Sequence, residues 1–470
     1  MESKQTKNKD LIRNIALFFL ASFLPKTISF FLVPLYTNCL STAEYGTIDL
    51  IAATVQLLLP VFTLQVQDAV LRFAMEKGQD PKEVFSSGLR ITLVGFGIFL
   101  VGFCGVCAMG ILPLEWPYLM FCLAYYLTGA LGNLFQYFLR AIDKIKNLTV
   151  ASVLTCLVTV GSNLLTLLVF KWGVNGYLVS SILGHIVSIV YIFFSANLAR
   201  YTSLRIREPQ LTKRMILFSV PMIVSALSWW VNNSLDKYIL MYFCGVSASG
   251  LLAVAYKIPT IISTLANTVS KAFAVSVIRE FDQEDRDGFL GESYATVSSL
   301  VVLIASGLIL LNMALSSILF AKEFFAAWQL VPPLLVAAVM NHMSLSCQHI
   351  YIALKKTNVV SATALLGALV NTLLNLCLIP LLKAYGAALA TAIGFFIVWL
   401  VRYIWILRYV NLKNCRVKEP VSYGLLLCQM ILAYWGNRFL VWQVVCMAVI
   451  VIMYGREALA ILKKLKFSRK

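Results

Sequence analysis

A chain of 470 residues that is 60% hydrophobic and only 13% charged is no water-soluble globular protein, whose wet surface calls for roughly a quarter charged residues. Its formal charge of +18 raises nucleic acid as a partner, and the placement of that charge removes the need for one. The eleven Cys and three His carry no metal-ligand spacing. The Cys are scattered through apolar spans as small packing residues, and the Cys104/Cys107 pair sits inside such a span. His342 and His349 share a helix face in the manner of packing residues.

An apolar run of about 20 residues crosses a hydrocarbon core of about 30 Å, and such runs follow one another along most of the chain. The predicted spans are Leu11–Tyr36, Thr47–Ala74, Phe85–Ile111, Leu114–Leu139, Leu148–Phe170 and Asn175–Phe194. A short basic connector follows, and then Met215–Phe243, Gly250–Ile278, Phe289–Leu315, Phe324–Leu354, Val359–Leu382 and Tyr385–Leu407. Two weaker spans, Val421–Trp435 and Phe439–Tyr454, close the series. This gives an all-α integral membrane protein of about fourteen helices, with twelve plus a re-entrant hairpin as the alternative count. The first span is too long for a signal-peptide core and lacks a small-residue cleavage site, so it stays as the first helix. The alternation of a membrane barrel is absent.

With the N-terminus taken as cytoplasmic, 28 of the 39 Lys and Arg fall on cytoplasmic segments and five on outer turns. That asymmetry is the positive-inside pattern and places both termini in the cytoplasm of a bacterial plasma membrane. The basic excess therefore reports topology and contact with anionic membrane lipids.

The chain repeats itself six helices later. Asn147–Gly176 aligns without gaps to Thr357–Gly386, and each copy leads into a helix with small residues four apart: Gly176, Ser180 and Gly184, then Gly386, Ala390 and Gly394. Such spacing lets two helix backbones approach closely. The starts of the halves also match loosely, Ser41–Gly46 with Val246–Gly250. An offset of six helices keeps orientation, so the repeat is parallel, with the substrate site expected in a cavity between the halves. The organisation is a six-helix lobe over 1–197, a cytoplasmic connector over 198–214, a second six-helix lobe over 215–410, and two further helices with a basic tail over 411–470. Pro25, Pro34, Pro60, Pro221 and Pro259 break the first two helices of each half.

Six cations lie inside the spans: Lys26, Arg72, Arg90, Lys257, Lys271 and Arg402. A charge at mid-membrane costs about 2.5–3.5 kcal/mol or more and should face a cavity or a partner. Arg402, Arg90 and Lys271 lie near cytoplasmic ends, where long side chains snorkel to the headgroups. That is the preferred reading for Arg402. Lys26, some fifteen residues into its helix at about 1.5 Å each, falls near the midplane, and Lys257 lies about two turns below an outer end. Asp68 and Arg72 are four apart on one helix face, either an ion pair that eases insertion or an anion ligand with its carboxylate. Asp236 and Lys237 are ambiguous in the same way. The predominantly positive membrane interior suits an anionic substrate, and an inside-negative voltage favours its export.

The chain also resembles a family. Pro34-Leu35-Tyr36 followed by Glu44-Tyr45-Gly46, then Asp68-Ala69-Val70-Leu71-Arg72-Phe73, are similar to the Wzx-type oligosaccharide flippases. So are Ser219-Val220-Pro221 with Ser228-Trp229-Trp230, Leu235-Asp236-Lys237-Tyr238, Ala255-Tyr256-Lys257-Ile258-Pro259, and Ala327-Trp328 with Val331-Pro332. These are the polysaccharide-export branch of the superfamily that holds the MATE exporters and lipid II flippases. The resemblance implies two six-helix lobes around a cationic cavity lined by helices 1, 2, 7 and 8, and a polyprenyl-pyrophosphate-linked oligosaccharide as cargo. It also implies polysaccharide polymerase machinery as a partner. Arg72 and Lys257 match basic positions of those motifs, and Lys26 joins them by depth. Arg90 and Lys271 complete the candidate substrate ligands. Asp68 and Asp236 are the candidates for proton or sodium coupling, and no other cofactor is expected. The chain is read as a transporter and not an enzyme: the outer loops are too short for the catalytic loop of a membrane glycosyltransferase, and Walker A is absent. A lipid II flippase and a MATE-like multidrug exporter are the alternatives.

Overall fold

The computed structural model describes residues 25–467 apart from 26, 77, 111–114, 204–207, 280–284, 286–287, 355 and 411–417. The first stretch of the first expected span, and Lys26 with it, lie outside the described residues.

In chain order the helices are α1 (Val33–Cys39), α2 (Thr42–Phe62), α3 (Val66–Ala74), α4 (Pro81–Ala108), α5 (Trp116–Ala141), α6 (Ile145–Asn163), α7 (Val174–Ser195) and α8 (Pro209–Cys244). They continue with α9 (Val246–Ala255), α10 (Pro259–Arg279), α11 (Phe289–Leu310), α12 (Asn312–Leu319), α13 (Val331–Ala353), α14 (Thr357–Ile406), α15 (Lys418–Tyr434) and α16 (Leu440–Phe467). Each predicted span has a helix in it. Eight helices are long and apolar enough to cross a membrane alone, and two bent pairs raise that to ten among the described residues, against the fourteen expected. The difference has four sources. The first span is largely outside the described residues. Two expected spans run together in α14 across a break at Lys383, whose φ is 53°. The apolar helices at the C-terminal end, α15 with 17 residues and Leu440–Gly455 of α16, are short.

Local signals set the helix starts. Ser41 and Glu44 form a capping box at the head of α2: Glu44 N–H donates to Ser41 Oγ at 3.2 Å, and Ser41 N–H donates to Glu44 Oε2 at 2.7 Å. Asp80 caps α4, accepting from Lys82 N–H at 2.9 Å, with Pro81 in the first turn, where its missing N–H costs nothing.

Packing divides the chain into two units. One holds the residues up to Leu35 together with Thr47–Ser234, the other Tyr36–Gly46 together with Leu235–Lys470. Within the first, Val66, Ala69, Val70 and Phe73 of α3 bury themselves among Phe85 of α4, Phe138 of α5 and Met215 of α8. Trp230 ties α8 to α2 by donating its indole N–H to Ala53 O at 2.7 Å. Within the second, the heads of α2 and α9 cross at two glycines. A Cβ on Gly46 would strike Val246 O, and one on Gly250 would strike Thr42 O. The contact is reciprocal, each helix giving its first residue to the other's glycine.

The repeated seam is present in both copies. In the first unit α6 passes into a π-helical turn, Leu164–Val169, and α7 folds back along it. Thr166 Oγ1 donates to Gly176 O at 3.1 Å and lies 3.0 Å from Ser180 Oγ, while Gly184 rests on Thr159. In the second, the half of α14 after Lys383 folds back on the half before it. Gly386 lies over Leu378 O, and a Cβ on Gly394 would stand 3.3 Å from Asn371 Cβ. Each seam is an antiparallel hairpin whose small residues admit the neighbouring helix.

Candidate functional site

The candidate site residues of the first unit sit just beyond a break in the chain. Thr63, Leu64 and Gln65 interrupt the span between α2 and α3, and Leu64 and Gln65 take left-handed φ values of 51° and 53°. Gln65 Nε2 donates to Asp68 Oδ2 at 3.0 Å, so the residue that turns the chain also occupies the carboxylate. Arg72, one turn on, is exposed and points its guanidinium at Phe218, 6.0 Å from the ring centroid. Asp68 and Arg72 thus share a face without forming an ion pair. The insertion-easing pair considered from the spacing is not what the structure holds.

In the second unit the corresponding break separates α9 from α10, with a bend of 47°. Lys257 lies in it and is half-buried. Its carbonyl accepts from Thr260 Oγ1 at 2.5 Å, and its ammonium meets no carboxylate among the described residues. Next to it, Tyr256 donates its hydroxyl to Asp236 Oδ2 at 3.0 Å, and Asp236, only 4% exposed, also accepts from Lys237 N–H at 2.9 Å. Asp236 therefore anchors the break through Tyr256 and leaves the neighbouring cation to other partners.

The remaining candidates separate. Lys271 is on α10, and its side chain lies outside the described residues. Arg90, on α4, lines a pocket with Lys213 of α8. Among the described residues, no cluster of three His, Cys, Asp or Glu is arranged to hold a metal ion.

Arg402 corrects the sequence reading. It does not snorkel: it is 3% exposed. Its guanidinium donates to Thr363 Oγ1 at 2.8 Å, Ser344 Oγ at 2.9 Å, Ser344 O at 3.1 Å, Val360 O at 3.2 Å and Gln348 Oε1 at 3.4 Å. Its carbonyl accepts the Tyr351 hydroxyl at 2.8 Å. One side chain thus fastens both halves of α14 to α13, with neutral acceptors in place of a counter-ion. The signal in the sequence was Ser344 and Gln348, four apart and so on one face of the helix. Glu419, buried in the first turn of α15, also escaped the sequence reading.

The molecule is therefore a multi-pass helical membrane protein with internally repeated hairpins and cations at the breaks of its second helix in each half. The profile of the polysaccharide biosynthesis protein family matches residues 11–274, and the chain belongs to that family. Its fold is similar to that of the lipid II flippase MurJ in an inward closed conformation: 14% identity, TM-score 0.66, 94% of this chain and 99% of that one. It is also similar to an inward-facing multidrug resistance MATE family transporter of the MOP superfamily: 12% identity, TM-score 0.62, 85% of this chain and 100% of the other. A third similarity is to a MOP superfamily transporter from Pyrococcus furiosus, reported with a binding pocket of reverse polarity: 12% identity, TM-score 0.58, coverage 86% and 96%. No curated protein sequence matches the chain.

Proposed function

We propose that the protein is a flippase that moves a polyprenyl-pyrophosphate-linked oligosaccharide from the cytoplasmic to the outer leaflet by alternating access, and that it catalyses no chemical step. The observation that carries this reading is a pair of cations, Lys257 in one helix break and Arg72 seven residues past the other, that meet no carboxylate among the described residues, in a chain of the polysaccharide biosynthesis family. A cation held in apolar surroundings without a counter-charge is costly, and an anionic headgroup that arrives with the substrate lowers that cost. Lys26, expected at similar depth, is assigned to the same headgroup. The cargo's pyrophosphate supplies the charge and its glycan the bulk. Broken helices supply the soft points about which such bundles rearrange. Coupling to a proton or sodium ion is assigned to Asp68 or Asp236, and both termini to the cytoplasm.

One observation favours a second reading. The MurJ structure covers 94% of the chain where the MATE structure covers 85%, so a lipid II cargo, which also carries a pyrophosphate, is the nearest competitor. The experiment that separates them is deletion of the gene, followed by mass spectrometry of the extracted polyprenyl-linked lipids. Accumulation of a completed pyrophosphate-linked oligosaccharide with loss of surface glycan supports the proposal. Accumulation of lipid II transfers the protein to peptidoglycan, and unchanged lipids with greater drug sensitivity transfer it to export of small molecules.

A further inference from the structure

A second cationic feature lies wholly within the first unit. Arg90 of α4 meets one face of the first turns of α8, formed by Pro209, Thr212, Lys213, Ile216 and Leu217, around a pocket of about 420 Å³. The α8 residues recur at the spacing of a single helix face, so the pocket is made by one helix stripe and one facing arginine. Thr212 is held toward α4 by donating to Ser87 Oγ at 3.4 Å. Among the described residues no acidic side chain lines the pocket.

The position along the two helices identifies the occupant. Arg90 is the last charge on α4, and every residue from Ile91 to Ala108 is uncharged. On α8, Lys213 and Arg214 precede an uncharged run that reaches Leu235. Both cations therefore stand where a polar end gives way to an apolar run, the depth of a phosphate headgroup. Beyond them each helix continues as exposed apolar surface, Val94, Ile98 and Val101 on α4 and Leu217, Val220 and Val224 on α8. Gly97 and Gly102 of α4 leave open space where a side chain would stand. A cationic notch above an apolar, partly notched face matches a phosphate above acyl chains. The volume accepts a phosphate with its glycerol.

We propose that this pocket binds one anionic glycerophospholipid of the surrounding leaflet, its phosphate held by Arg90 and Lys213 and its chains laid along α4 and α8. The lipid is a resident of the membrane and not cargo, which assigns Arg90 to a role apart from that of Arg72 and Lys257. The assignment stands on the membrane-spanning fold alone and is independent of what the protein carries.

The test uses full-length protein, delipidated in detergent and titrated with phosphatidylglycerol or phosphatidylcholine in native mass spectrometry. Two cations near a membrane surface, each contributing about 1 kcal/mol, correspond to an affinity advantage of about thirtyfold for the anionic lipid. Arg90→Gln with Lys213→Gln is expected to abolish that advantage. Leu217→Trp, which fills the pocket and keeps both charges, is expected to reduce occupancy of either lipid, and monodisperse elution of both variants certifies their fold. An undiminished preference for phosphatidylglycerol in the double variant overturns the proposal. So does displacement of phosphatidylglycerol from the wild type by an equal concentration of farnesyl pyrophosphate, which would give the pocket to cargo. Transport is not measured, so failure of the flippase reading leaves this outcome unchanged.

Discussion

Arg72 and Arg402 are both arginines inside apolar spans, and the structure gives them opposite surroundings. Arg402 is enclosed by five neutral acceptors drawn from α13 and α14. Arg72 is exposed and has the face of Phe218 for company. Depth along the helix, a criterion available from sequence, misplaced Arg402, because it favoured a surface location for a side chain that is buried. What separates a structural cation from one available to a ligand is the number of acceptors that neighbouring helices bring to it. A guanidinium with a full set of acceptors is part of the scaffold. One that lacks them has unspent capacity for an anion, and Lys257 belongs with it.

The largest expected effect tests that division directly. Arg72→Gln combined with Lys257→Gln removes two proposed charge-assisted interactions with the headgroup, each about 1.5–3 kcal/mol, so flipping of the lipid-linked glycan should fall by about a hundredfold or more. Stability should move little, since the Phe218 contact contributes only about 0.5 kcal/mol at an exposed site. The readout is glycan export in cells beside the thermal unfolding of purified protein. Retained export in the double variant would break the comparison.

Arg402→Met should show the reverse. It leaves the Thr363 and Ser344 hydroxyls and the Ser344 and Val360 carbonyls to find new partners in an apolar interior, a loss of about 3 kcal/mol. Unfolding and expression level should report it, and Arg402→Lys should recover only part, because an ammonium cannot reproduce the planar fork. Wild-type stability in Arg402→Met would make the hydrogen-bond set incidental.

A third substitution asks whether packing without any charge carries comparable weight. Gly250→Ala places a methyl against Thr42 O at the reciprocal crossing with Gly46, where backbone and not a flexible side chain must yield. The expected destabilisation is about 2 kcal/mol. Gly102→Ala, on open surface, is the control and should be neutral or slightly stabilising, because alanine favours the helix by about 1 kcal/mol.

The sequence made much of this architecture legible because lipid imposes few rules. Among the described residues the apolar runs are helical, two of them joined in α14, and the gap-free copy around Gly176 and Gly386 became two hairpins sealed by the same small residues. The loose match between Ser41–Gly46 and Val246–Gly250 proved to be a physical contact. What stayed hidden depends on side chains from separate helices. Asp68 and Arg72 are correctly spaced for an ion pair, yet the left-handed turn at Leu64 and Gln65 delivers an amide to the carboxylate first. Arg402 was misread because its acceptors come from positions some forty to sixty residues away. The Arg90 pocket required knowing that α8 lies beside α4.

The smallest expected effect concerns Tyr256 and refines the line between scaffold and site. Its hydroxyl, one residue before Lys257 in the break of α9 and α10, holds Asp236, a buried carboxylate of α8. If the tyrosine keeps that carboxylate turned away from the cation, Tyr256→Phe costs one hydrogen bond to a charged group, about 1.5 kcal/mol, and releases Asp236 to compete for Lys257. Export should then fall several-fold although no proposed ligand has been changed, and the additional substitution Asp236→Asn should restore most of it. Two costs that simply add would instead make Asp236 a structural anchor, and the availability of Lys257 would then follow from the bend alone.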